Sequence, residues 1–312
     1  MKLAKLIKRY RIDDPEHFKL AAFDPADTGG LDLDKDNAKA MLEQDVERLA
    51  KLQERLYAHD RWALLVVLQA MDAAGKDGVI KHVMSGVNPQ GCEVHPFKAP
   101  NAEELDHDFL WRAAIRVPER GRIGIFNRSH YEEVLVVRVH PELLTRQKLP
   151  PSLTLPRKRG REGRGQDIWK QRFEDIRGFE RHLARNGVAV VKFFLHVSKE
   201  EQRQRLLARV DEPAKRWKFS MTDIAERKLW DKYMDAYDDM IRATSREEAP
   251  WYVVPADHKW FARLVVAAAM IDALETLDLE YPKVKGKALE ELQQVRAALV
   301  AEERGDRTAA KK

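Results

Sequence analysis

Cysteine occurs once in this 312-residue chain, at Cys92. No disulfide can form within the chain, and a cysteine-based metal site is excluded. Long apolar runs are also missing: none approaches the ~20 residues that a helix needs to span a bilayer. The start, Met1-Lys2-Leu3-Ala4-Lys5, is basic and mixed and lacks the apolar core of a signal peptide. These absences predict a soluble, cytoplasmic chain with no membrane partner. No internal repeat is visible. A dominant charge is missing as well, with 56 Lys and Arg against 51 Asp and Glu, a net of +5. That excess fits an anionic substrate or surface patch and is too small for a dedicated nucleic-acid binder.

What is present is an alternation of elements. Length alone suggests about two domains, although one α/β domain with excursions fits equally well. Residues 1–35 are irregular, broken by Pro15, Pro25 and Gly29-Gly30, and form an N-terminal extension. From Asn37 to His59 the apolar residues Met41, Leu42, Val46, Leu49, Leu52 and Leu56 recur at helical spacing. Buried strands are predicted at 62–69, 122–126, 188–197 and 251–255, with a shorter one at Cys92–Phe97. Helices are predicted at Glu103–Val117 and Ile168–Leu183. Strands alternating with helices predict an α/β catalytic domain over 36–282, with a mainly parallel sheet sandwiched by helices. Ligands in such sheets bind beyond the C-terminal strand ends. Leu149–Gln166, rich in Pro, Gly and Arg, reads as a flexible insertion. Its RKRGREGR core is a solvated basic loop or, on the rival reading, a nucleic-acid contact. Residues 283–312 form a charged, alanine-rich tail, a helix followed by a disordered end.

The densest chemical signal is WALLVVLQAMDAAGKDGVIKHVMS, residues 62–85. A buried strand, a small-residue turn through Ala73, Ala74, Gly75, Lys76 and Asp77, and a helix start together form a phosphate cradle. Unpaired amides and the positive end of the helix dipole converge there on an anion. The pattern departs from G-x-x-x-x-G-K-[ST]: Ala70 replaces the first glycine, Asp77 replaces the hydroxyl residue, and Asp72 lies inside the loop. Losing the hydroxyl removes a usual magnesium ligand. A carboxylate in a phosphate cradle repels its ligand unless a cation intervenes, so Asp72 predicts a bridging Mg2+ with hard oxygen ligands. The competing reading makes Asp72 a helix cap.

Two further clusters fit this chemistry. In FNRSHYEE, Asn127 and Arg128 end a buried strand, where a nucleotide or a magnesium ion would be held. Asn127 adds no charge, and Glu132 and Glu133 are the candidates to restore it as metal ligands. Arg128 offers a fork suited to phosphate oxygens, against the alternative of a plain salt bridge, and His130 reads as structural. In EQRQRLLARVDEPAKRWKF, Arg205 and Arg209 share one helix face, and Lys215, Arg216 and Lys218 follow around Trp217. Over about 203–220 this reads as a cationic lid that closes on transferring phosphates, with Trp217 pinning it to the body.

These pieces resemble the type-two polyphosphate kinase family. The matching strings are LQAMDAAGKDGVIKHV, GVNPQGCEV, FNRSHYEEVLVVRV, the W-x-x-R-F-x-x-I-x-x-FE run from Trp169, KFFLHVSKEEQRQRLLARVDEPAKRWKFS and APWYVVPADHKW. They run in order across about 20–280. The resemblance implies a P-loop kinase-like three-layer α/β/α fold with a helical lid. It also implies magnesium dependence and phosphoryl transfer between inorganic polyphosphate and nucleoside mono- and diphosphates. It places the catalytic groups at Asp72, Lys76 and Arg128, nucleotide contacts at Asn127, Arg128 and Glu132, and polymer-binding cations at Arg205, Arg209, Lys215 and Lys218. Asn127, where many members have Asp, resembles the subgroup that accepts both AMP and ADP. A homo-oligomer, dimer or tetramer, is implied by resemblance alone. The rival readings are an ATP-consuming small-molecule kinase on the same fold and a nucleic-acid module using residues 157–164.

Overall fold

The structure is a computed structural model that describes residues 6–31, 35–150 and 168–309. Its strands are β1 (Ala63–Gln69), β2 (Cys92–Pro96), β3 (Ile123–Asn127), β4 (Val188–His196) and β5 (Trp251–Pro255). They form a parallel sheet in the order β2-β3-β1-β4-β5. The central strand β1 reads ALLVVLQ and is buried at every position, as expected for a parallel strand covered on both faces. Leu68 pairs with Asn127 and Gln69 with Phe194, which brings the C-terminal ends of β1, β3 and β4 side by side. The chain leaves β1 towards β2 and returns past it to β4, so the crevice for a ligand opens at the C-terminal end of β1.

In chain order the helices are α1 (Lys35–His59), α2 (Lys76–Val83), α3 (Ala102–Asp106), α4 (Trp111–Ala114), α5 (Val136–Val139), α6 (Ile168–Arg185), α7 (Lys199–Asp211), α8 (Met221–Arg227), α9 (Trp230–Thr244), α10 (Lys259–Glu275) and α11 (Lys287–Ala309). Helix α10 packs on α1, α2, β4 and β5, whereas α9 packs on α5 and α6. On β4, Lys192 and Phe194 meet Glu180 of α6 and Tyr237 of α9, the alternation expected of strand side chains. The chain belongs to the three-layer α/β/α class.

Two features differ from the sequence expectation. The predicted helix over Glu103–Val117 is broken into α3 and α4, because His107 turns extended and the Asp108 carboxylate accepts from the Leu110 amide at 2.9 Å. The irregular N-terminal stretch is part of the body. Leu6, Ile7, Tyr10, Ile12 and Phe18 are buried in the main core. Arg11 bridges Tyr252 in antiparallel sense, with Ile12 N–H donating to Trp251 and Val253 N–H to Tyr10, each at 2.9 Å. This segment covers the free edge of β5, a position that invites aggregation when left bare.

The described residues up to Leu279 form one compact unit and those from Glu280 a second. The second contains α11, as the sequence predicts, with Leu289, Leu292, Val295 and Leu299 exposed. The insertion predicted at Leu149–Gln166 lies, after its first two residues, outside the described residues, and so does the end of the tail after residue 309. Among the described residues no helix is long and apolar enough to cross a membrane.

Gly124 sits in β3 between Leu65 of β1 and Glu93 of β2. A Cβ there would lie 2.9 Å from three atoms of the Pro118 ring. A proline ring cannot rotate away as a flexible side chain can, so Gly124→Ala is expected to cost about 1–3 kcal/mol of stability. Equilibrium denaturant unfolding measures it; a loss below about 0.5 kcal/mol, the level of an ordinary surface change, would mean that the loop bearing Pro118 yields freely.

Candidate active site

The loop joining β1 to α2 is the predicted cradle. Ala73 adopts φ +61° and Gly75 φ +112°, so the turn is tight and strained at a non-glycine residue. The Lys76 side chain folds back over this turn, and its Nζ donates to the carbonyls of Ala70 at 2.8 Å and Met71 at 3.4 Å. Burial, and then the neighbouring Arg128 cation, push its pKa down to about 8, against the pull of Asp72, Glu132 and Asp77.

Arg205 departs from its predicted role as a phosphate-binding lid cation. Its Nε donates to Glu201 at 2.7 Å, Nη1 to the carbonyls of Ala74 at 2.6 Å and Ala73 at 3.3 Å, and Nη2 to those of Ala256 at 2.6 Å and Asp257 at 3.0 Å. All five guanidinium N–H groups are thus engaged by protein oxygens. Arg205 holds the cradle loop in shape; it edges the cavity but has no donor left for a ligand. Gln202 adds a further tie, its Nε2 donating to the Asp72 carbonyl at 3.0 Å.

At the end of β3, Arg128 also has a left-handed backbone, φ +61°. Its guanidinium lies between two carboxylates: Nη2 is 2.5 Å from Asp72 Oδ1 and Nη1 is 3.3 Å from Glu132 Oε2. Glu132 foremost, and then Asp72, against the cost of burial, raise its pKa above the usual arginine range. Asn127 Nδ2 donates to Asp77 Oδ1 at 2.8 Å, which ties the end of β3 to the first turn of α2. The capping reading of Asp72 does not hold: α2 begins after Gly75 with no side-chain cap.

The two glutamates separate. Glu132 faces the cradle. Glu133 is buried on the other side of the turn, where its carboxylate meets Arg172 Nη1 at 3.3 Å and Gln147 Nε2 at 2.5 Å. Glu133 therefore does not serve as a metal ligand at this site, and burial raises its pKa despite Arg172. Asp72 and Glu132 remain as hard oxygen donors on either side of Arg128. Among the described residues no three His, Cys, Asp or Glu side chains gather into a metal cage. Two carboxylates fit an ion that keeps its waters and arrives with phosphates, as magnesium does.

The lid consists of α7, a 3-10 turn over Pro213–Lys218, and α8. Arg209 Nη1 pairs with Asp223 of α8 at 2.6 Å, and Lys215 with Glu212 at 2.5 Å. Arg216 turns back to the carbonyl of Val210 at 2.9 Å, closing the end of α7. Trp217 does not pin the lid to the body: it is 79 % exposed, with the Lys218 ammonium 5.0 Å from its ring centre.

Cradle, strand ends and lid enclose a cavity of about 410 Å³ whose wall carries eight Lys and Arg side chains against only Asp72 and Asp77. Sequence reasoning missed two of these cations. Lys98 follows the end of β2 and Lys259 opens α10 directly after β5, and their positions at C-terminal strand ends were the available signal. Burial, and then Arg205, lower the Lys259 pKa. Asp223 was missed as well; burial and then the nearby Asp72 charge raise its pKa.

Comparison with known proteins gives a consistent answer. The sequence model of the family described as Polyphosphate kinase 2 matches residues 32–149 and 164–282. The break between the two ranges falls on the Pro/Gly/Arg-rich insertion. An ADP-polyphosphate phosphotransferase of Rhodopseudomonas palustris is 49% identical over 94% of this chain and 98% of its own length. An AMP/ADP-polyphosphate phosphotransferase of Meiothermus ruber is 47% identical over 89% of this chain and 96% of its own. The crystal structure of polyphosphate kinase 2 from Arthrobacter aurescens superposes with a TM-score of 0.82 at 40% identity, covering 97% of each chain. This protein belongs to the polyphosphate kinase 2 family.

Proposed function

We propose that this chain transfers the terminal phosphoryl group of inorganic polyphosphate to nucleoside mono- and diphosphates, AMP giving ADP and ADP giving ATP, with Mg2+ as the required ion. The observation that carries this reading is the cavity wall, with eight cations against two carboxylates around a cradle that has a carboxylate in place of a hydroxyl. Unit charges about 4 Å apart interact by about 4 kcal/mol at an effective dielectric of ~20. Crowded cations of this kind need an anion of several charges, and a polyphosphate chain brings about one per phosphate. The relatives' names, for ADP in one case and for AMP and ADP in another, support the acceptor class.

The acceptor's terminal phosphate oxygen attacks the end phosphorus of the polymer. The bridging P–O bond breaks, and its electron pair stays on the shortened chain. Such a transfer rests on positioning and charge stabilisation. Lys76 and the amide of Gly75 hold the transferring group, and Arg128 steadies the phosphate that migrates between donor and acceptor. Arg209, Lys215, Lys218, Lys98 and Lys259 line the path of the polymer, whereas Arg205 keeps the cradle in shape. Asp72 and Glu132 would hold the magnesium ion, which supplies charge neutralisation between phosphate oxygens when bound. Asn127 carries no charge beside the acceptor position, which suits an acceptor with either one or two phosphates.

Purified protein mixed with magnesium, polyphosphate and AMP or ADP is expected to yield ADP and ATP. Asp72→Asn should lower turnover by at least about a hundredfold with the unfolding midpoint nearly unchanged, since the carboxylate sits on a loop. No product with any nucleoside mono- or diphosphate would refute the assignment, and turnover with ATP as sole donor would favour a small-molecule kinase.

The depressed Lys76 pKa, about 8, gives a pH signature. Polyanion binding favours the protonated amine, so affinity is full below that pKa and weakens as pH rises through it. Calorimetric titration with tripolyphosphate should show weaker binding at about pH 9 than at about pH 7, with much of the dependence lost in Lys76→Met. Equal slopes in both proteins would assign the effect elsewhere.

Neutralising lid cations should discriminate by chain length. A long donor meets several cations at once, so Lys215→Ala/Lys218→Ala should raise the KM for long polyphosphate more than for tripolyphosphate, and added salt should mimic the change. A loss confined to kcat and independent of length would mean that the lid serves only the transferring group.

A further inference from the structure

Behind the active-site turn lies a group of buried polar side chains that the transfer reaction does not touch. Lys192 of β4 is fully buried, and its ammonium donates three hydrogen bonds: to Glu180 Oε2 at 2.5 Å, to Tyr131 Oη at 3.0 Å and to the Thr244 carbonyl at 2.8 Å. Tyr131 Oη in turn donates to Glu180 Oε1 at 2.7 Å. The Trp251 ring packs edge-on against Tyr131 at 4.9 Å, and its indole N–H donates to Thr244 Oγ1 at 2.9 Å. The triad therefore joins β4, α6 and the end of α9 to the 3-10 turn over His130–Val134 through Tyr131, with His130 Nε2 of the same turn 3.5 Å from Glu180 Oε1.

Stability does not account for it. A buried ion pair is often matched or bettered by apolar side chains of the same volume. What a Lys–Glu–Tyr triad adds is direction, because each bond fixes an angle as well as a contact. The turn it anchors needs such fixing. It follows Arg128, a non-glycine residue in a left-handed conformation, and strained residues persist only where their surroundings over-determine them. Ser129 Oγ accepts from Gln69 Nε2 at 3.0 Å and from the Tyr131 amide at 3.1 Å, which locks the start of the turn. The residue after Tyr131 is Glu132, whose carboxylate holds Arg128 Nη1.

We propose that the buried Lys192–Glu180–Tyr131 triad is a positioning device that aims the Arg128 guanidinium at the cradle by fixing the turn that carries Glu132. The inference rests on the assignment of Arg128 to the transfer site. Lys192, Glu180 and Tyr131 touch no substrate; they act through Glu132 and Arg128.

Tyr131→Phe is the test variant, because it removes one hydroxyl and keeps the Lys192–Glu180 pair that a charge deletion would strand. In the full-length protein, well below its unfolding temperature, kcat is expected to fall by about tenfold or more, as displacement of a positioned group does, with both KM values within about twofold. The same change on an Arg128→Ala background should lower kcat by less than about twofold, because no guanidinium remains to be aimed. A merely structural role would lower the unfolding midpoint and leave kcat of the folded protein intact, and that result overturns the inference. Equal losses on both backgrounds overturn it as well. Full turnover in Arg128→Ala alone overturns the site assignment and this inference with it, whereas a crippled Arg128→Ala beside an unaffected Tyr131→Phe overturns the inference alone.

Discussion

The guanidinium of Arg205 gathers three pieces of chain that lie far apart in sequence: the cradle loop, the first turns of the lid helix α7, and the segment that follows β5. Its two bonds to the carbonyls of Ala73 and Ala74 decide how that loop presents itself. In a trans peptide the N–H points opposite to the C=O, so a carbonyl held by Arg205 turns the Gly75 amide to the opposite side. A lysine would satisfy at most three oxygens from one point, and an apolar residue none, leaving loop carbonyls buried without donors. The cradle is therefore a tertiary product. Its glycine and its left-handed alanine permit the shape, and an arginine about 130 residues further along the chain selects it.

Charge organises the rest of the cavity. Lys76 and Lys259 both have depressed pKa values, owing first to burial and next to neighbouring arginines. Arg128 is the exception, raised because Glu132 and Asp72 flank it. Arg128, Arg205, Arg209 and Lys215 each face a carboxylate, whereas Lys98, Lys218 and Lys259 form no ion pair among the described residues and leave the wall with an excess of positive charge. An anionic polymer relieves the wall, and the two central carboxylates suit a divalent ion that accompanies it.

Much of this was legible in the sequence, for physical reasons that also mark the limit. The five strands fall within a residue or two of their predicted ends; β1 and β5 are buried throughout and written as nearly unbroken apolar runs, whereas the edge strand β2, CEVHP, is only partly buried. Asp72, Lys76 and Arg128 converge because the parallel register puts the ends of β1 and β3 side by side. Direction within irregular turns was not legible. Glu132 and Glu133 are adjacent and chemically equivalent, yet successive residues of a 3-10 turn project about 120° apart, so one faces the cradle and the other meets Arg172. The N-terminal stretch escaped notice because it pairs with β5 through one isolated bridge, too short to impose a period. Arg205 was legible as a cation, but nothing local reveals that five protein oxygens take up its donors.

The body and the lid are held together in different ways, and the difference bears on how the site works. Around Tyr131 and Glu180 the bonds are buried and directional and anchor the turn that follows Arg128. In the lid Leu207, Val210, Met221 and Ile224 remain exposed, and its helices are tied by the Arg209–Asp223 pair and by Arg227, which donates to the Lys199 carbonyl at 2.6 Å and to Gln202 Oε1 at 2.9 Å. Segments with few buried apolar contacts open at low free-energy cost. On the proposed reading a polymeric donor makes opposing demands: the transferring group is held still during transfer, and the polymer must move on before the next phosphate can react. Directional bonds behind Arg128 and a lid held mainly by polar and charged side chains would meet both, because positioning would rest on the body and polymer grip on a summed, non-directional attraction that survives a shift in register.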